Sequence, residues 1–357
     1  VGVCGVLHYR DAARLPVAPP LVSGDDPRSR ADGLEFRAAG PDDEAQVLAL
    51  AERTLGWGPE PRWADLFRWK HDENAFGVSP RWVAVDDGRV VGFRVFLRWE
   101  WVDADGVTHR AVRAVDTATD PDYQGRGIFT RLTKAALEDL RADGVGFVFN
   151  TPNDQSRPGY LKMGWQVVGR PPVMTVPARP SGIGRLAKAR TAADLWSEAT
   201  DAGLDAATVF AGAAAEDLAG RLDRPDALAT ARSIAYLRWR YGLAPLRYRT
   251  VGLGSDPAEG LAVFRVRRRG PALEATVTDL LVPAGADAGH RRRALLRRVV
   301  RSAGADFVLV GHHRSLLGTP ALAVRGLGPI LTWREVTETT PPTLASWALT
   351  MGDLELF

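Results

Sequence analysis

Residues 117–140 read "TATDPDYQGRGIFTRLTKAALEDL", and the fold turns on this stretch. An extended run ends near Thr119, and from Ile128 onward Ile128, Phe129, Leu132, Ala136 and Leu140 recur at helical spacing. Between them lie Gln124, Gly125, Arg126 and Gly127. A dinucleotide fingerprint, G-x-G-x-x-G, fails at Thr130, and the G-K-[ST] ending of a P-loop is absent. What remains is a Q-x-x-G-x-G/A loop at a strand-to-helix junction, with Phe129 where a small residue is more usual. Glycines let the backbone approach an anion closely, and successive N–H groups at a helix start attract a pyrophosphate. Arg126 is available for a further phosphate. A tight turn without a ligand would use the same glycines.

The flanking sequence supplies alternating strands and helices. "LEFRAAGPDDEAQVLALAERTLG" predicts a strand and then a helix opened by Gly40-Pro41 and an acidic first turn. "PRWADLFRWKHD" predicts a second amphipathic helix. Two alternating runs surround Asp87-Gly88, a hairpin signal, and in the second of them Val91, Phe93, Val95, Leu97 and Trp99 share one face. Residues 107–119 form the next strand, "GFVFNT" a short buried one, "DQSRPGYLKMGW" a helix stopped by Gly164, and "QVVGR" a closing strand. Residues 171–190, rich in Pro, Gly and basic side chains, read as a linker, part of which could pair as an edge strand.

Two of these segments together resemble the GNAT N-acetyltransferases over roughly residues 34–170. "TDPDYQGRGIF" is similar to that family's Pro-x-Tyr-Gln-Gly-x-Gly-Ile segment, and "NDQSRPGYLKMGW" matches its second motif at Asn153, Ser156, Tyr160, Gly164 and Trp165. The resemblance implies an α/β (α+β) fold, a mixed, mostly antiparallel sheet flanked by helices. It implies acetyl-CoA or another short acyl-CoA as co-substrate, an amine acceptor that is a small molecule or a protein, and no metal. By the same resemblance Gln124, Gly125, Arg126, Gly127, Ile128 and Phe129 would hold the pyrophosphate. The backbone of Thr117, Ala118 and Thr119 would pair with the pantetheine arm, with Asn153 helping to hold it. A backbone N–H there would stabilise the oxyanion, and Tyr160 would protonate the departing thiolate. Asp116 ranks first as general base, ahead of Glu100 and Asp103, because it shares the strand that contacts the acyl group.

The second half echoes the first. "LFRWKHDENAFGVSPRWVAV" and "YLRWRYGLAPLRYRTVGL" align on Trp69 and Trp239, "VGFRVF" is echoed by "LAVFRVR", "DGVGFVFN" by "AGADFVLVG", and Gly164 by Gly326. Four echoes in one order predict a duplicated fold, although short apolar strands also resemble one another by chance. The expected division is a weakly structured tail over 1–33, a catalytic unit over 34–175, a linker over 176–200 and a degenerate GNAT-like unit over 201–357. "HRRRALLRRVVR" places Leu295, Leu296, Val299 and Val300 on one helical arc, so its arginines read as a solvated face and not a nucleic-acid patch. His312-His313 point to opposite sides of a strand and do not read as a metal site.

The totals agree with that picture. The chain has 357 residues, 45% hydrophobic and 25% charged, with a net charge of only +3 that gives no general affinity for polyanions. Cys4 is the sole cysteine, which excludes internal disulfides and fits a reducing cytoplasm. No apolar run suggests a membrane span or a signal peptide. Two other readings compete: a tandem aminoacyl transferase of the peptidoglycan-bridge type, which would not need the pyrophosphate loop, and a module that binds acyl-CoA or a metabolite without turnover.

Overall fold

The computed structural model describes residues 33–179, 184–185, 191–316, 319, 321–324, 328–338 and 342–355. The predicted tail up to residue 32, part of the linker and Gly326 lie outside them.

The first half runs β1 (Glu35–Ala38), α1 (Glu44–Leu55), α2 (Pro61–His71), β2 (Arg81–Asp86), β3 (Arg89–Val102), β4 (Thr108–Thr119), α3 (Ile128–Ala142), β5 (Phe147–Asn150), α4 (Arg157–Lys162) and β6 (Gln166–Gly169). Asp87 and Gly88 turn the β2–β3 hairpin with φ of 46° and 78°, the paired positive values that a two-residue hairpin turn needs. The chain continues through β7 (Val173–Pro177), β8 (Leu204–Asp205), α5 (Ala206–Ala211), α6 (Ala213–Gly220), β9 (Ala229–Thr230), α7 (Ile234–Gly242), β10 (Arg249–Gly252), β11 (Leu261–Arg269), β12 (Ala272–Leu281), α8 (Ala288–Ser302), β13 (Phe307–Gly311), β14 (Leu322–Val324), β15 (Leu331–Glu335) and α9 (Met351–Leu354).

Two mixed sheets result. One has the order β1-β2-β3-β4-β5-β15-β6 with β9 added to β3, and the other β14-β7-β13-β12-β11-β10-β8. In each, one pair is parallel, β4 with β5 and β12 with β13, and all other pairs are antiparallel. The two orders match position for position, which is consistent with a duplicated fold. The sheets cross the expected division in both directions. β7 pairs with β13 and β14 in the second sheet, so it is no edge strand, while β15 lies between β5 and β6 in the first.

Packing follows this exchange. On one face of the first sheet, α3 and α4 bury Ile128, Leu132, Ala136, Leu140 and Tyr160 against Val91, Phe96, Val112 and Val148. On the other, α1 and α2 cover Val83, Phe93 and Val95. A third cluster joins the halves through Leu97, Trp99, Trp101, Phe149, Tyr236, Trp239, Trp333 and Trp347. At its centre Trp69 and Trp239 stack at 5.3 Å, and each indole N–H donates to the other's backbone carbonyl at 2.7 Å. This reciprocity is the pattern of a local two-fold relation between α2 and α7.

Val91 departs from the expected face. The β2–β3 register shifts between Ala84 and Val85, which makes Val91 an extra residue and turns it toward α3. In α8, Leu295, Leu296 and Val299 are buried while Arg291, Arg293 and Arg298 reach backbone carbonyls. No helix among the described residues is long and apolar enough to cross a membrane.

Candidate active site

Asp120 fixes the chain as it leaves β4. Its N–H donates to the Val91 carbonyl at 2.8 Å, and its carboxylate accepts from the Asp122 N–H at 3.1 Å. Arg53 and Arg89 both pair with that carboxylate and hold it below the usual carboxylate range, against the upward push of burial. A 3-10 turn over Pro121–Tyr123 then delivers the glycine loop. Gly125 and Gly127 have φ of 77° and 72°, and a Cβ built on either meets no atom within 4 Å. Gly127 is the N-cap of α3 and, having no side chain, cannot cap the first N–H groups of that helix. Gln124, Gly125 and Arg126 are exposed, Gly127 and Phe129 half-buried, and Ile128 buried. The Arg126 guanidinium lies 4.6 Å from the centre of the Tyr123 ring. The glycines here are not consumed by packing, which leaves room for an anion against the backbone.

Beside the loop, β4 parts from β5. Their parallel ladder covers only Ala111–Arg113 against Phe147–Phe149. Beyond Arg113 the backbone of residues 114–119 forms no ladder on that side among the described residues. Arg113 stands at the fork, donating to the Thr151 hydroxyl at 2.9 Å and to the Leu354 carbonyl at 3.0 Å. On its other side β4 carries a bulge: Arg94 pairs with Thr117 and Val95 with Val115, leaving Asp116 as the extra residue, with φ of 36°. Thr117 donates its hydroxyl to the Phe93 carbonyl at 3.0 Å, and Ala118 is buried against α1.

The bulge points Asp116 into an ion pair. Its carboxylate lies 2.6 Å from Lys70 Nζ and 2.8 Å from His71 Nε2, both wholly buried at the end of α2. Burial alone pushes the Asp116 carboxyl up, but the Lys70 ammonium and the His71 hydrogen bond outweigh it and hold it well below the usual range. A carboxylate so stabilised is a poor proton acceptor. The expectation that Asp116 is the general base therefore meets a physical obstacle, and its visible work is to anchor the bulge. Burial pushes His71 down to about 4 despite the pull of Asp116, so the imidazole is neutral near pH 7. Glu100 pairs with Arg110 within the β3–β4 ladder, and Asp103 binds His109 at 2.8 Å.

Tyr160 sits on α4. Asn153 accepts from the Ser156 N–H at 2.8 Å and from its hydroxyl at 2.9 Å, so its carbonyl oxygen is spent on the turn that starts this helix. The Tyr160 ring is 3% exposed, between Phe129 at 5.3 Å and Trp165 at 5.1 Å. Its hydroxyl accepts a hydrogen bond from Arg94 Nη1 at 2.6 Å. Arg94, Lys70 and His71 are absent from the sequence-based set. The signal for Arg94 is a cation inside "GFRVF", which alternation assigns to a solvent face but which α3 covers.

Residues 35–168 match the family model described as "Acetyltransferase (GNAT) domain". The mycothiol acetyltransferase of Mycolicibacterium vanbaalenii is 32% identical over 174 residues, covering 44% of this chain and 51% of that protein. The mycothiol acetyltransferase of Actinosynnema mirum is 32% identical over 139 residues, covering 38% and 41%. The chain thus spans about half the length, or less, of these curated relatives. Among solved structures, a GCN5-related N-acetyltransferase from Anabaena variabilis superposes with a TM-score of 0.58 at 13% identity, covering 85% of this chain and 73% of that one. One from Kribbella flavida gives 0.55 at 18%, covering 85% and 72%. At such identities they speak for the fold alone, and the matched span extends well beyond residue 168 into the second sheet. Over residues 35–168, then, this chain is similar to the GNAT acetyltransferases.

Proposed function

We propose that this protein moves an acetyl or short acyl group from acyl-CoA to an amine. The observation that carries the reading is the parting of β4 from β5 beside the uncapped start of α3. An extended thioester arm fits the open edge of residues 117–119, and a pyrophosphate fits the cradle of residues 124–129, where the space before Gly125 and Gly127 is clear. Acetyl-CoA would supply the activated acyl group. Backbone N–H groups of the open β4 edge would polarise its carbonyl, and Tyr160 would give a proton to the sulfur. Asp116, locked to Lys70, would hold the bulge that shapes this edge, with the proton of the amine leaving through water.

The first half alone is assigned the coenzyme. In the second, no Q-x-x-G-x-G loop precedes α8, and the Asp223 carboxylate sits 2.6 Å from Arg292 in its second turn. We take residues 34–175 as the catalytic unit and residues 201–357 as a non-catalytic partner that completes its sheet. Relatives named for mycothiol acetylation support an acetyl donor and make a small-molecule amine the first acceptor class to screen. The test is calorimetric titration with acetyl-CoA, followed by an amine panel read by release of free thiol. Micromolar binding and amine-dependent thiol release are expected. Absence of acetyl-CoA binding by the folded protein would overturn the proposal.

A further inference from the structure

Arg94 is an unusual residue to find in the middle of a sheet. Its side chain is wholly buried, and no ion pair among the described residues involves it. One nitrogen donates to the Tyr160 hydroxyl at 2.6 Å, while Nε and Nη2 are buried without a hydrogen-bond partner among the described residues. The guanidinium carbon lies 4.4 Å from the Phe96 ring centre, 5.2 Å from Tyr160 and 5.4 Å from Phe129. Ring faces recover part of the lost hydration, yet an arginine without a carboxylate in a protein interior remains costly. Its backbone is paired with Thr117, at the bulge that shapes the open edge of β4. The charge is therefore held where the proposed function needs negative charge to develop.

A phenol oxygen that accepts from Arg94 must direct its own proton elsewhere. Resting on the proposed function, we infer that Arg94 is a positioning residue for acyl transfer. Its N–H orients the Tyr160 hydroxyl so that the proton faces the parting of β4 and β5, and its charge stabilises the phenolate left behind. In that step Tyr160 gives its proton to sulfur as the carbon–sulfur bond breaks, with the bonding pair going to sulfur and the new carbon–nitrogen bond in place. The phenolate then takes a proton from water, and the proton shed by the amine returns to water, so the balance closes. A purely packing role for Arg94 would leave Tyr160 chemistry untouched.

The test is a double-mutant cycle on the full chain, with Arg94→Met, Arg94→Lys and Tyr160→Phe, read by thiol release from acetyl-CoA. Tyr160→Phe is expected to lower kcat roughly 10²-fold. Arg94→Met is expected to lower it roughly tenfold or more with KM for acetyl-CoA little changed, and to add nothing on top of Tyr160→Phe. Arg94→Lys keeps the charge and should restore most of the turnover, which also separates the role from a folding defect. A second readout needs no acyl-CoA: the tyrosine 13Cζ resonance that disappears in Tyr160→Phe should move in Arg94→Lys. Full additivity of the two losses, or an unmoved resonance, overturns the inference. A slow Tyr160→Phe beside an unimpaired Arg94→Met removes Arg94 alone, whereas full turnover in Tyr160→Phe removes the acid from the proposed function and this inference with it.

Discussion

Replacing Gly127 by valine separates what the loop does for the ligand from what it does for the fold. Gly127 has φ of 72°, and a Cβ there meets nothing within 4 Å, so the substitution brings backbone strain without a protein clash. A left-handed non-glycine residue costs roughly 1–2 kcal/mol. Gly106, in the β3–β4 turn, has φ of 83° and equally empty surroundings, so Gly106→Val is expected to lose a similar amount. Binding should distinguish them. By the proposed function, the new side chain at Gly127 would stand where the pyrophosphate meets the start of α3, and losing one charge-assisted hydrogen bond costs about 1.5–3 kcal/mol. Calorimetry should therefore show CoA affinity falling roughly tenfold to a hundredfold in Gly127→Val and staying put in Gly106→Val. Equal CoA affinity in the two variants, with both folded, would refute the cradle.

Gly92→Ala places a methyl 2.6 Å from Ile128 Cγ2, so the Ile128 side chain or α3 must shift, and urea melts should show a loss of about 1–3 kcal/mol. Trp239→Phe leaves the Trp69 carbonyl without its buried donor and should cost roughly 1–3 kcal/mol, with the tryptophan spectrum losing its stacked pair. His71 sits at about 4 when folded against 6.5 in an open chain, so the unfolded state binds the extra proton between those values. Stability should then be full above pH 6.5 and fall by on the order of 3 kcal/mol as pH drops toward 4. His313, also pushed down to about 4 by burial and Arg292, adds to the same slope. Chemical denaturation across that range should show a shallower loss in His71→Gln, and an identical slope would rule out His71 as the source.

Local pattern carries much of this architecture. Periodicity, the Asp87-Gly88 turn and the glycine loop foretell the elements from Glu35 to Gly169, because each is encoded within a dozen residues. The bulges at Val91 and Asp116 escape such reading, since one inserted residue reverses a strand's faces without altering its composition. Arg94 escapes because alternation marks a polar face without saying that a helix will cover it. Val173–Pro177 lies in Pro- and Gly-rich sequence that reads as a connector, yet both its edges are paired. Its partners are more than a hundred residues away, and nothing nearby in the chain announces them. The same holds for Lys70 and Asp116, which meet only once α2 packs beneath the β4 bulge.

The place of β15 between β5 and β6 also sets an order of events at the ribosome. Residues 147–150 and 166–169 emerge long before residues 331–335, so the first sheet waits with a slot one strand wide. At 5–20 residues per second that wait lasts about 8–33 s. During it, the facing edges of β5 and β6 can accept a strand from any neighbour, including β15 of another copy. Crowded synthesis should therefore yield intertwined dimers in which each chain closes the other's slot, and slow, dilute refolding should return monomers.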